Sequence, residues 1–403
     1  MAVYSIYTKI ESNVPADNLL YDLSIYRMDE NKKKFYLLPL VSQQSLQSNY
    51  ETLKHQTVDT DDPLITTYIV EIMLYRKNML LTQQALKEPF RRLYTLDDLA
   101  SGKACSEKKR ENACYFESSG QTKPANEGDN TIKLQLTVPE RQFIAKEYPI
   151  GSTKDPFEKS LFEFELLQRM DHFDYPNQGG TSLCGPAAFF YCLLRDRPDI
   201  YEQAAKELWQ YGTTKIGNLK IIPSKGCKKP RGRFHSGKKI NGIKGLDWVT
   251  LASLRDSENS IMSYSEVSDR AAGITFPATL FDWFEKAGYT KIDNKTTLSH
   301  SNLEDIIELN NYFKDGYTIV SLISAGMLDR ADGDTSWKNH WIVWNDVLRD
   351  TGTQDVTLDT DLNVFVNLDM FSWGEVQKQV LPYKTLAYFL QHTYGALIFK
   401  RII

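Results

Sequence analysis

The hydrophobic positions of this chain follow two different periods, and the change between them divides the sequence. Up to about residue 145 the apolar positions are filled by Val, Ile, Tyr and Leu in partly alternating runs, which predict β-strands. The predicted strands cover residues 3–9, 19–26, 35–41, 65–80 and 132–138. A helix is expected around 88–100, and the polar stretch 101–130 is expected to be a long surface loop. We interpret residues 1–147 as a β-rich accessory or targeting domain.

After a connector with proline and glycine around residues 148–156, the apolar positions recur every three to four residues, which is typical of helices. Helices are predicted over 157–170, 187–194, 200–211, 246–254, 278–287 and 303–313. Beyond Gly316 strands are predicted over 318–324, 340–347, 364–368 and 397–402, with one further helix over 383–394. A helical half followed by a twisted antiparallel sheet is an α+β arrangement. We assign residues 157–403 to this second domain.

Composition narrows the function classes only slightly. The chain has 403 residues and a formal net charge of −4, so its charge gives no reason to expect nucleic acid as a partner. No run approaches the roughly 18 apolar residues of a membrane span. The first 25 residues contain three acidic side chains and do not resemble a signal peptide, so synthesis in the cytoplasm is expected. Five cysteines leave at least one thiol unpaired.

One of these cysteines, Cys184, stands where a glycine-rich loop becomes a helix. The positive end of a helix dipole favours a thiolate, so we expect Cys184 to have a lowered pKa and to act as a nucleophile. Gln178 lies six positions before it (184 − 178) and is followed by two glycines that allow a tight turn. We expect the Gln178 amide and the Cys184 backbone N–H to stabilise an oxyanion.

A cysteine nucleophile needs a base, and the chain offers six histidines. His340 differs from the others because it opens the apolar run 341–344. A residue at the start of a buried strand is held rigidly and can still reach a cleft. We therefore expect His340 to be the base and to form a thiolate–imidazolium pair with Cys184.

The group that orients the base should come from the next strand. The period of two places Asn367 and Asp369 on the same face of that strand. Either could accept a proton from the imidazole; Asp369 is favoured because it lies at the strand end, and Asn367 is the alternative. One of the nearby tryptophans is expected to shield this hydrogen bond from water. They are Trp337, Trp341, Trp344 and Trp373.

The residues around Cys184 carry a resemblance to a known family. The active-site segment of papain-like cysteine peptidases is similar to Asn177-Gln178-Gly179 followed by Cys184 and Ala188-Phe189. Cys184-Gly185-Pro186-Ala187 is similar to the corresponding segment of bacteriocin-leader peptidases and of phytochelatin-synthase-type enzymes. The later His340 and the run Ser372-Trp373-Gly374 fit the same family order. The chain departs from papain at Gly185, where papain has tryptophan, and at Phe371, where papain has the asparagine that precedes Ser-Trp-Gly.

This resemblance implies a papain-like fold over the second domain and acyl-transfer chemistry at an amide, but it does not fix the substrate. We expect a protein or peptide as substrate. Papain-like domains of the Cys-Gly-Pro type also occur in bacterial toxins and effectors that are delivered into another cell without a cleavable signal, which would imply an immunity or delivery protein as a partner. The same residues would serve a deamidase, a transglutaminase or a peptidoglycan amidase. A binding module with a degenerate papain fold is the non-catalytic alternative.

The loop 224–244 contains eight basic residues and no acidic ones. It is interpreted either as a solvated, flexible insertion or as a docking surface for an acidic protein or polyanion. Its Cys227 and His235 lack the spacing of a metal site, and the chain has neither a phosphate-binding loop nor a dinucleotide fingerprint. We therefore expect neither a metal nor another cofactor.

Overall fold

The computed structural model describes residues 2–10, 12, 14–77, 82–86, 88–101, 141–232, 234, 242–258, 275–328, 340–352, 354–378, 380 and 382–403. The predicted strand at 132–138 lies outside these residues, as do Cys105, Cys114 and His235. The chain forms two compact units. The first unit consists of Met1–Glu140 with Lys215–Gly217, and the second consists of Arg141–Thr214 with Asn218–Ile403.

The first unit is built on an antiparallel sheet with the strand order β3-β2-β5-β6, in which β7 also pairs with β5. Its strands are β1 Ser5–Ile6, β2 Leu19–Met28, β3 Lys34–Ser45, β4 His55–Gln56, β5 Thr67–Lys77, β6 Thr82–Gln84 and β7 Phe90–Thr95, and one helix, α1, covers Leu96–Ala100. Strand β2 is central and mostly buried, and its apolar residues contribute to one hydrophobic core.

The helix expected around 88–100 is wrong over most of its length. Residues Phe90–Thr95 form strand β7, which pairs with β5 so that Leu93 lies opposite Ile69. The helix begins only after Thr95, whose hydroxyl accepts from the Asp98 N–H while the Asp98 carboxylate accepts from the Thr95 N–H. This reciprocal cap fixes the start of α1, and cross-strand pairing outweighs the local helical pattern before it.

The helices of the second unit lie mainly in the first half of that unit. They are α2 Lys159–Met170, α3 Cys184–Asp196, α4 Pro198–Tyr211, α5 Lys225–Lys228, α6 Gly245–Asp247, α7 Ser253–Ser257, α8 Pro277–Ala287, α9 Leu303–Lys314 and α10 Leu386–Gln391, and a π-helical turn at Trp248–Ala252 links α6 to α7. Helix α3 is buried on nearly every face. A helix that is apolar all round belongs in a core, and α3 is the helix that begins with Cys184.

The second unit also contains a six-stranded antiparallel sheet with the order β10-β17-β11-β12-β15-β16. The remaining strands of the chain are β8 Thr214–Ile216, β9 Leu219–Ile221, β10 Thr290–Asn294, β11 Thr318–Ile323, β12 His340–Trp344, β13 Arg349–Asp350, β14 Val366–Asn367, β15 Met370–Ser372, β16 Glu375–Lys378 and β17 Thr393–Lys400. The protein is thus mixed α+β, with several antiparallel sheets. None of the described helices is long and apolar enough to cross a membrane.

Strand β12 connects this sheet to helix α3. On one face Ile342 and Trp344 join a core that includes Phe389 of α10. On the other face Phe371, which pairs with Val343, stacks on Tyr191 of α3 with 4.0 Å between ring centroids. The sheet therefore packs against α3 with the face that carries Phe371, and the first residue of β12 is His340.

Candidate active site

Cys184 is the first residue of α3, as the glycine-rich loop predicted, and its side chain is buried. The backbone N–H groups of Trp341, Gly185 and Cys184 itself lie near its sulfur and act to lower its pKa. These donors favour the thiolate, but burial is the larger effect and raises the pKa of the Cys184 thiol. The expected lowering of this pKa is therefore wrong, because removal of the sulfur from water outweighs the helix terminus.

His340 is 3% exposed, and its Nε2 lies 2.8 Å from Ser372 Oγ. The Trp373 ring packs against the imidazole at 4.8 Å between centroids. Burial lowers the pKa of His340 to about 3, so the ring is neutral at pH 7. Both pKa shifts favour the neutral thiol and the neutral imidazole over the expected thiolate–imidazolium pair.

The backbone of β12 brings Cys184 and His340 to the same end of the strand. The Cys184 sulfur lies near the backbone N–H of Trp341, the residue that directly follows His340. The His340 side chain shares its strand face with Ile342 and Ser372, whereas α3 packs on the opposite face. In the described part of the chain no hydrogen bond joins the Cys184 sulfur to the His340 ring.

The structure gives His340 a different partner from the two that were expected. The carbonyl of Asp369 accepts from the Asn345 N–H, so Asp369 is level with a residue five positions along β12, roughly 16 Å from His340. Asn367 lies in β14 and pairs with Arg349. Ser372 takes the place beside His340, because it lies diagonally opposite on the same face of the sheet. The Ser-Trp-Gly run was the sequence signal for this position.

The loop before Cys184 is fixed by close packing. Asn177 Oδ1 accepts from the Gly179 N–H at 2.8 Å, and Gly179 has a φ of +57°. A Cβ atom on Gly179 would lie 2.2 Å from Gly242 O, and one on Gly374 would lie 2.6 Å from Asn177 Nδ2. Both positions therefore require glycine. The Gln178 side-chain amide, carried by this loop, makes no hydrogen bond to the residues that the structure describes.

A buried ion pair holds the same loop in place. Asp247 Oδ1 accepts from the Asn177 N–H at 3.2 Å and from Arg169 Nη1 at 2.9 Å. Neither charged side chain of this pair is exposed. Arg169 also pairs with Asp174 at 2.9 Å, and Lys244 binds the same carboxylate at 2.8 Å. The network ties residues 174–177 to α2 and α6 and so fixes where the loop turns toward Cys184.

The other described cysteines of this unit are poorly suited to chemistry. Cys192 is fully buried on α3, and burial raises its pKa to about 12. Cys227 is also fully buried, and burial raises its pKa as well. A buried thiol in apolar surroundings is inert. Cys184 is thus the described thiol of this unit that combines a helix start with a neighbouring histidine.

The basic loop 224–244 is ordered in its described part. Residues Lys225–Lys228 form α5, the Ser224 hydroxyl accepts from the Cys227 N–H, and the Trp248 indole donates to the Cys227 carbonyl at 2.9 Å. The interpretation as a flexible insertion is therefore wrong for these residues. Arg233, His235, Lys238 and Lys239 lie outside the described residues. Docking of an acidic partner stays a prediction.

Within the described ranges, no group of three or more His, Cys, Asp or Glu side chains is arranged to hold a metal ion. Comparison of the chain with models of known protein families, with curated protein sequences and with solved structures gave no match. The chemistry of the site therefore has to be inferred from its own geometry.

Proposed function

We propose that the protein is a cysteine peptidase with a papain-like second unit, and that Cys184 is its nucleophile. The observation that carries this proposal is the position of Cys184 at the start of α3, where the Trp341 backbone N–H lies near its sulfur. It brings the thiol at the start of α3 to the residue next to His340, whose Nε2 is bonded to Ser372. A thiol, a base and a group that orients the base are the parts that thiol hydrolysis requires.

In this proposal the Cys184 sulfur attacks a peptide carbonyl carbon while the thiol proton moves to His340. His340 Nε2 lies 2.8 Å from Ser372 Oγ, and in the tautomer that the proposal uses Nε2–H donates to this hydroxyl, so that Nδ1 is the basic nitrogen. Since no hydrogen bond joins the two side chains at rest, the transfer requires the His340 side chain to move around the end of β12, of which His340 is the first residue. Because thiol and imidazole are neutral at rest, charge develops only as the bond forms. Buried donors are most effective at that stage.

The oxyanion would accept from the Cys184 backbone N–H and from the Gln178 amide. The amide makes no hydrogen bond to the described residues, and its loop is fixed by Gly179. His340 then gives its proton to the leaving amine, which yields a thioester on Cys184. Water attacks the thioester with His340 as base, and the free thiol and the carboxylic acid product are restored.

The test is hydrolysis of a mixture of unfolded proteins, read by mass spectrometry, with four forms of the chain. Wild type should create new peptide termini, whereas Cys184→Ala and His340→Gln should not. Cys192→Ala is the matched control, because Cys192 lies on the same helix but is fully buried. It should retain activity. New termini that persist in Cys184→Ala would refute the proposal.

The same experiment separates the other acyl-transfer chemistries and the binding module. A gain of about one dalton at glutamine or asparagine, dependent on Cys184, would indicate a deamidase, and new cross-links would indicate a transglutaminase. If the wild-type protein causes no change that depends on Cys184, the result would indicate a non-catalytic binding module. Delivery into another cell and an immunity protein follow from the resemblance alone. These two expectations and the targeting role of the first unit stay predictions.

A further inference from the structure

Thr275 carries a buried hydroxyl that the proposed mechanism does not use. It lies two residues before α8 and is 5% exposed. Its Oγ1 is buried and makes no hydrogen bond to any residue that the structure describes. Most buried hydroxyls in folded proteins have a partner, so this one needs an explanation. A hydroxyl that receives its partner only when a substrate is bound would provide one.

The position of Thr275 brings this hydroxyl to the nucleophile. A Cβ atom on Gly185 would lie 2.6 Å from Thr275 Oγ1, so the Thr275 side chain rests directly on the residue after Cys184. The Thr275 carbonyl accepts from the Trp341 indole N–H at 3.0 Å. The backbone N–H of the same Trp341 lies near the Cys184 sulfur. Neighbouring positions thus connect four residues around the nucleophile, namely Cys184, Gly185, Thr275 and Trp341.

We propose that the Thr275 hydroxyl donates a hydrogen bond to the oxygen of the carbonyl group that Cys184 attacks. The inference rests on the proposed function and adds a third donor to the Cys184 N–H and the Gln178 amide. As the S–C bond forms, the carbonyl π electrons move to the oxygen, which becomes negative. Thr275 stabilises that charge without giving up its proton, and His340 receives the thiol proton. Glycine at position 185 is what allows the hydroxyl to approach.

The test compares acylation of Cys184 with its alkylation. p-Nitrophenyl acetate acylates the thiol through an oxyanion, with release of p-nitrophenolate, whereas iodoacetamide alkylates it by displacement of iodide without an oxyanion. Thr275→Val removes the hydroxyl and keeps the shape. We expect it to lower the acylation rate by about 100-fold, the effect of one oxyanion donor, with an alkylation rate close to that of wild type. Thr275→Ser, which keeps the hydroxyl, should acylate like wild type.

Three results would overturn the inference. Either Thr275→Val acylates as fast as wild type, or Thr275→Ser loses as much acylation rate as Thr275→Val, or the rates of acylation and alkylation fall together, which would indicate a structural role. Wild type and Cys184→Ala measured in parallel identify failure of the proposed function. If wild type shows no acylation that depends on Cys184, both proposals fail. If it does and Thr275→Val matches it, only the role of Thr275 fails.

Discussion

The buried imidazole of His340 should make stability depend on pH in a defined window. Its pKa is lowered from 6.5 to about 3 in the folded protein, with burial as the cause. Between these values the unfolded chain binds a proton that the folded protein does not, so stability falls as pH falls through this window. Above pH 6.5 both states carry a neutral ring and the effect is absent.

The shift in the pKa of His340 determines how much stability the protein loses on acidification. Each pH unit within the window changes the free energy of unfolding by about 1.4 kcal/mol. Between pH 6.5 and pH 4 the loss from His340 alone is therefore about 3 kcal/mol. In His340→Gln this contribution disappears. Carboxylates also take up protons on acidification, but they are common to both proteins and cancel when the two pH dependences are subtracted.

The assay is urea denaturation followed by tryptophan fluorescence at pH 7 and pH 4. Wild type should lose about 3 kcal/mol more than His340→Gln between the two values. His300→Gln is the matched control, because His300 is exposed, and it should follow wild type. Equal losses in wild type and His340→Gln would refute the reasoning, since the ring would then be protonated in the folded protein as readily as in the unfolded chain.

Three further predictions concern the support of the site. Asp247→Asn leaves Arg169 with a buried charge that is only partly compensated, and should lower the free energy of unfolding by about 3 kcal/mol in urea denaturation. Gly179→Ala places a Cβ at a φ of +57° and 2.2 Å from Gly242 O. It should lower the free energy of unfolding by about 2 kcal/mol and slow acylation of the Cys184 thiol. Unchanged acylation kinetics would contradict the proposed role of the loop. Burial raises the pKa of Glu165 from 4.5 to about 7, so wild-type stability should fall as pH rises through that window. Glu165→Gln should remove up to about 3 kcal/mol of this fall between pH 5 and pH 8, measured by thermal unfolding at the two values.

The sequence predicted those features that depend on local pattern. Alternating apolar residues indicated strands such as β2, and helical spacing indicated α9. The glycine-rich loop indicated the helix start at Cys184. These features depend on residues close together in the chain, where side-chain period and capping decide the structure.

Features that depend on distant residues could not be predicted in the same way. The pKa of Cys184 depends on how completely α3 is covered, and burial reverses the sign that the helix terminus alone suggests. The partner of His340 depends on the pairing of β12 with β15, which places Ser372 beside it and Asp369 far along the strand. Strand β7 was mistaken for a helix because its pairing with β5 is invisible in the local sequence.

The contact between Asn177 and Gly374 has a consequence for sequence divergence. The loop that leads to the nucleophile and the turn that follows Ser372 come from segments almost 200 residues apart, yet they meet without room for one more carbon atom. Substitutions at positions 177 and 374 are therefore not independent of each other. Among homologues that keep this site, a side chain at position 374 should occur only where position 177 has become smaller or the turn has been rebuilt, so paired substitution at these positions would mark lineages in which the site has changed.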